Sequence, residues 1–106
     1  MSVTVTTLLD AVTTVSAGTA VGSLPSNKTF QAFVTGTGAL TATVLIEGSL
    51  NGVDWYTVAT LSLSGTTRAT AGNASNTPWA LVRANVTTRT GTGAAVTAYV
   101  GCEYTD

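Results

Sequence analysis

Ala95-Val-Thr-Ala-Tyr-Val-Gly-Cys-Glu-Tyr104 decides the fold class of this chain. On an extended backbone Val96, Ala98, Val100 and Cys102 fall on one side, and Thr97, Tyr99, Gly101 and Glu103 on the other. That is the period-two alternation of a half-buried β-strand. The same pattern recurs upstream. Leu40, Ala42, Val44 and Ile46 oppose Thr41, Thr43, Leu45 and Glu47, while Ala80, Val82, Ala84 and Val86 oppose Trp79, Leu81, Arg83 and Asn85. In each case the first set reads inward. Leu45 and Leu81 then stand on the more polar faces, which predicts that those faces are covered as well.

Turn signals fall about ten residues apart, the spacing of antiparallel strands in a sandwich or barrel. Strands are predicted near residues 3–9, 19–24, 29–35, 40–49, 55–63, 67–71, 79–88 and 95–104. The expected fold is all-β, an antiparallel β-sandwich or jelly-roll-like barrel of about seven to eight strands. The 106 residues suit a single domain, with residues 1–17 as an N-terminal arm or edge segment. Leu8, Leu9, Val12 and Val15 give that arm apolar residues without a charged counterface, so it has to pack on its own domain or on a neighbour. Threonine and valine in the segment argue against a helix there.

Composition narrows the function. There is no His, a single Cys, and only nine charged residues, so the groups needed for proton transfer, covalent catalysis or metal ligation are too few to assemble. A noncatalytic protein without cofactor or metal is expected. The charged fraction of 8% lies far below the usual figure of about 25%, and solubility rests on hydroxyls instead. Lys28, Arg68, Arg83 and Arg89 are too few to neutralise a run of phosphates, which argues against nucleic acid. No stretch approaches the length of an apolar membrane span, and the first residues lack a basic segment followed by an apolar run. The chain is therefore expected to stay where it is made, unless it leaves with a particle. Bare sequons at Asn27, Asn73 and Asn85 follow from the same reading. Cys102 reads as a small buried hydrophobe.

Three local signals stand out. Thr35-Gly-Thr-Gly-Ala39 and Thr90-Gly-Thr-Gly-Ala94 form a quasi-repeat, and both read as β-hairpin turns. In Glu47-Gly-Ser-Leu-Asn-Gly-Val-Asp-Trp-Tyr56, the pair Asn51-Gly52 predicts a two-residue type I′ turn. Glu47 and Asp54 flank it as solvated carboxylates. Arg83, placed mid-strand, needs a partner such as Glu47 or Glu103 if buried.

The Ser49, Asn51-Gly52, Trp55 pattern resembles the hairpin of discoidin-like modules and of many β-sandwich domains in phage particles. Together with the arm Leu8-Leu-Asp-Ala-Val12, Ala42-Thr-Val-Leu-Ile-Glu-Gly-Ser49, Val58-Ala-Thr-Leu-Ser-Leu-Ser-Gly65 and Trp79-Ala-Leu-Val-Arg-Ala-Asn-Val86, it resembles small β-sandwich structural proteins of tailed bacteriophages. The resemblance implies a virion component, a capsid decoration or cement protein on capsomer junctions, and a homo-oligomer, most often a trimer. Its partners would be itself and the major capsid protein or another virion protein, with Leu8, Leu9, Val12, Leu45 and Leu81 as candidate contacts. A tail or head-to-tail accessory protein is the alternative within this class. The rival from another class is a carbohydrate-binding module that stacks sugars on Trp55, Tyr56 and Trp79.

Overall fold

The computed structural model describes residues 2–104, and the side chains of residues 3–102. Glu103 is therefore placed by its backbone alone. No helix occurs among the described residues. The chain forms β1 (Ser2–Val12), β2 (Val21–Gly22), β3 (Lys28–Ser49), β4 (Tyr56–Ser75) and β5 (Leu81–Tyr104). They make one antiparallel sheet in the order β1-β5-β3-β4, with β2 on β5 beyond the end of β1. Five strands replace the seven or eight expected.

The difference lies in three long strands. A straight strand of the 22 residues of β3 would span roughly 70 Å at about 3.3 Å per residue, yet the longest extent of the whole chain is 42 Å. The long strands therefore bend. Register shifts interrupt β3 against both neighbours between Thr35 and Thr41, and left-handed residues sit at the same level on all three strands: Gly38 on β3, Thr67 on β4, Gly91 and Gly93 on β5. The two Thr-Gly-Thr-Gly motifs are thus not hairpin turns. They are bends inside continuous strands, and Thr37 pairs with Thr92 across them. A positive φ kinks a strand as readily as it reverses one, so the local signal was the same.

The bends let one sheet cover its own apolar face. Phe30, Val34, Val44, Ile46, Val86, Val96 and Val100 are fully buried although no helix lies over them. Residues from both sides of the bends belong to a single core cluster with Leu8, Leu9, Leu61 and Leu63. The inward sets predicted for residues 40–46 and 96–102 are buried, and Thr97 of the outward set is buried as well, its hydroxyl accepting from the Ala11 amide. Val82, Ala84 and Val86 are buried too, whereas Ala80 is exposed and precedes β5.

The predicted arm is also placed within the sheet. Residues 2–12 form the edge strand β1, and Leu8 and Leu9 fill this chain's own core. After β1 the chain crosses to the far half of β5, where Gly18 donates to the Ala84 carbonyl at 2.8 Å and Ser16 accepts from the Val86 amide at 2.9 Å. Only Val21–Gly22 of the predicted 19–24 strand is regular.

Gly91 and Gly93 separate two requirements at the β5 bend. Both have positive φ, but a side chain at Gly91 would meet Leu40 and the Ala39 carbonyl, while a Cβ at Gly93 would point into open space. Gly91→Val is expected to destabilise the protein by more than about 2 kcal/mol, combining backbone strain and overlap. Gly93→Asn should cost less than about 1 kcal/mol, because Asn tolerates the left-handed region. Urea unfolding of both variants checks the contrast, and equal losses would place the bend elsewhere.

Candidate contact surfaces

The segment between β3 and β4 is a six-residue loop, 50–55, and not the two-residue turn predicted at Asn51-Gly52. Gly52 has φ +78°, but Asn51 is not left-handed, which rules out type I′. Side chains hold the loop instead. Buried Ser49 accepts from the Asn51 and Gly52 amides at 3.2 and 2.8 Å and donates to Asn51 Oδ1 at 3.1 Å. Asn51 Oδ1 accepts from the Val53 and Asp54 amides, both at 2.9 Å, and Asn51 Nδ2 donates to Asp54 Oδ2 at 2.9 Å. An Asx turn of this kind satisfies the loop backbone locally and leaves its apolar side chains pointing out. Leu50 is 71% and Val53 77% exposed.

Aromatic residues flank the loop in two separate arrangements. On the outer face Arg83 donates from Nε to Glu47 Oε1 at 2.8 Å and lies 4.1 Å from the Trp55 ring centre. This settles Glu47 as the Arg83 partner; the side chain of Glu103 is outside those described. Of the two carboxylates expected to be solvated beside the turn, Asp54 is exposed and bonds to Asn51, whereas Glu47 is buried because Arg83 pairs with it. At the end of the core, Trp79 stacks on Tyr56 with ring centres 5.7 Å apart and planes 19° from parallel. The other side of Trp79 rests on Gly48, where a Cβ would fall 2.6 Å from a ring carbon. Trp79 Nε1 is buried with no hydrogen-bond partner. Trp55, Tyr56 and Trp79 therefore do not line up as one stacking platform: Trp55 pairs with a guanidinium, and Trp79 plugs the core. Tyr56 alone is strongly exposed, at 66%.

The other candidate contacts differ in exposure. Leu45 and Leu81 are half-buried on β3 and β5, and Val12 is half-buried against the core. Leu8 and Leu9, at 5% and 3% exposure, are interior. Leu50 and Val53 were missed because they sit outside any strand periodicity; their place in a loop signature was visible, but not their direction.

Lys28 was also missed. It opens β3, only 4% exposed, and its ammonium donates to the carbonyls of Thr77 at 2.6 Å, Ser26 at 3.0 Å and Pro25 at 3.5 Å. One cation thereby ties the loop before β3 to the loop before β5. Burial lowers its pKa, partly offset by the neighbouring Cys102, while burial raises the Cys102 thiol against the opposing pull of Lys28. Lys28 and Cys102 pair across β3 and β5, beneath an open depression also lined by Val3, Asn27, Ser75 and Asn76. With its protons directed at carbonyls, this lysine is a structural clamp.

Compared with protein-family models, with curated proteins and with solved structures, the chain matches none.

The two shifts have opposite consequences in alkali. The folded thiol holds its proton above the ordinary 9.0, so its contribution is full below that pH and is lost as pH rises through the folded value. The folded Lys28 gives up its proton below 10.5, so the unfolded chain binds more protons there and stability rises with pH in that window. Cys102→Ala should therefore lose less stability than the wild type between about pH 8.5 and 10.5, measured by urea unfolding, and Lys28→Met should lose more. Identical pH slopes would mean that neither group is shielded from water.

Proposed function

We propose that this chain is a noncatalytic structural component of a tailed-bacteriophage particle: a capsid decoration or cement protein, acting as a homo-oligomer, that binds the head surface and stabilises the shell. Its folded sheet is read as a two-layer β-sandwich whose eight strand segments are the halves of β3, β4 and β5 together with β1 and the β2 edge. The observation that carries the proposal is the loop 50–55. Three large apolar side chains, Leu50, Val53 and Tyr56, stand 66–77% exposed within seven residues, on a backbone fixed by its own side chains. Such a patch is preorganised for contact with another protein and gains little from remaining in water. Repetition on a particle lattice turns several small contacts of this kind into firm attachment through effective concentration.

The sparse charge supports the same reading. Glu47 and Arg83 neutralise each other beside the patch, which leaves shape and apolar area to make the contact. A tail or head-to-tail position would use the patch in the same way, and the major capsid protein is the partner named for a head position.

Purified chain added to phage heads that lack it should co-sediment with them, and the protein should be present in virions of the phage that encodes it. Leu50→Ser combined with Val53→Ser is expected to weaken attachment by about tenfold or more, the loss of burial of two aliphatic side chains, with the unfolding midpoint little changed. Co-sedimentation with tails alone would move the protein to the tail. Absence from virions, with no binding to heads or tails, would reject the proposal.

A further inference from the structure

The ends of the sheet order are two open edges, β1 and β4, and in one half of the molecule they lie level with each other. Pairings run straight across all four strands there: Thr4-Cys102-Lys28-Ser75 in one row, Leu9-Ala98-Ala32-Ala71 in another, Val12-Val96-Val34-Ala69 in a third. Three antiparallel steps separate β1 from β4, so the two run in opposite directions. Among the described residues each pairs with a strand on one side only, which leaves backbone donors and acceptors along its outer side. Exposed edges of natural proteins are usually blunted by Lys or Pro, by short length or by bulges, because they are templates for another strand. Neither strand contains Lys or Pro, β4 is 20 residues long, and the two bulges of β1 lie beyond Thr7, leaving Ser2–Thr7 regular.

We propose that copies of this chain join head to tail, the β1 edge of one pairing antiparallel with the β4 edge of the next in the half containing Arg68–Ser75. The two edges are complementary in three respects. Their hydrogen-bonding rows match in direction and level, so that Thr4 of one copy falls opposite Ser75 of the other and Leu9 opposite Ala71. Their bulk is complementary: Val3 and Val5 stand 68% and 61% exposed on β1, while the facing stretch of β4, Ala69-Thr-Ala-Gly-Asn-Ala-Ser75, is mostly small. Their charge is complementary as well. Asp10 is the one charged residue of β1 and Arg68 the one charged residue of β4; both are exposed, and this register brings them within two residues of each other along the joined edges. A β4-to-β4 pairing in register at Arg68 would bring two arginines together, and a β1-to-β1 pairing in register at Asp10 two carboxylates, so the unlike edges make the charge-matched pair. Joining unlike edges is a heterologous contact, which gives a ring of three or more where the rotation between copies closes and an open filament where it does not.

This names the surfaces of the homo-oligomer included in the proposed function, and its test uses the purified chain alone, so that failure here and failure to find the protein in virions are separate results. Sedimentation velocity at micromolar concentration is measured for the wild type, Asp10→Arg, Arg68→Asp and the exchanged pair Asp10→Arg/Arg68→Asp. The wild type is expected to associate, each single variant to associate about tenfold more weakly, and the exchanged pair to recover most of the loss. Arg68 lies 4.3 Å from the Phe33 ring centre, so its replacement can perturb the fold; far-UV circular dichroism detects this, and Asp10→Arg then decides alone. A monomeric wild type, association indifferent to Asp10→Arg, or an exchanged pair that stays as weak as folded single variants overturns the proposal.

Discussion

A sheet with no helix to lie on has to cover its own apolar face, and that constraint organises the molecule. The inward residues of β3 are apolar on both sides of Gly36–Gly38, so an unbent sheet would leave Phe30, Val34, Val44 and Ile46 facing water. Bending removes them from water together. Because β3 is paired on both sides, it cannot bend unless β4 and β5 bend at the same level, and the positive-φ residues at Gly38, Thr67, Gly91 and Gly93 are aligned accordingly. Glycines recur where the strands bend, Gly36 and Gly38 on β3, Gly65 on β4, Gly91 and Gly93 on β5. Trp79 closes the end of the core by lying on Gly48, a position with no room for a side chain.

The same economy shapes the surface. Most large apolar residues are directed inward and many Thr and Ser outward, and each of the four cations has a contact within the chain. Lys28 holds three carbonyls, Arg83 holds Glu47 and lies over Trp55, Arg68 lies over Phe33, and Arg89 donates to the Ala94 carbonyl at 2.9 Å. All four cations have a contact inside the molecule. What stays exposed is the apolar loop at one end and the open strand edges, one suited to side-chain burial and the other to backbone pairing.

Much of the fold was legible in the sequence because side-chain alternation is a local property. The inward sets at 40–46 and 96–102 needed no tertiary information, and the eight predicted strand segments lie largely within the five strands observed. Connectivity was harder to read. A glycine pair marks where the backbone departs from regular extension, but a bend and a reversal use the same dihedral region, so Thr35-Gly-Thr-Gly38 looked like the end of a strand. Asn51-Gly52 misled for a related reason: Ser49 and Asn51 side chains bond to the backbone and stabilise a longer loop than the dipeptide alone suggests. The division between interior and exposed apolar residues outside the regular strands was the least legible part. Leu8 and Leu9 looked unpartnered in the chain but meet their partners far away in sequence, whereas Leu50 and Val53 had no periodic context to show that they point outward.

The central claim is that one core spans both sides of the bend, so that the two halves of β3 cannot open separately. Native-state hydrogen exchange of the amides at 30–34 and 40–46, followed with increasing denaturant, tests it most directly. The account predicts that the protected amides in both stretches converge on one opening free energy, that of global unfolding. Loss of protection in one stretch at a lower denaturant concentration, while the other stays protected, would contradict it.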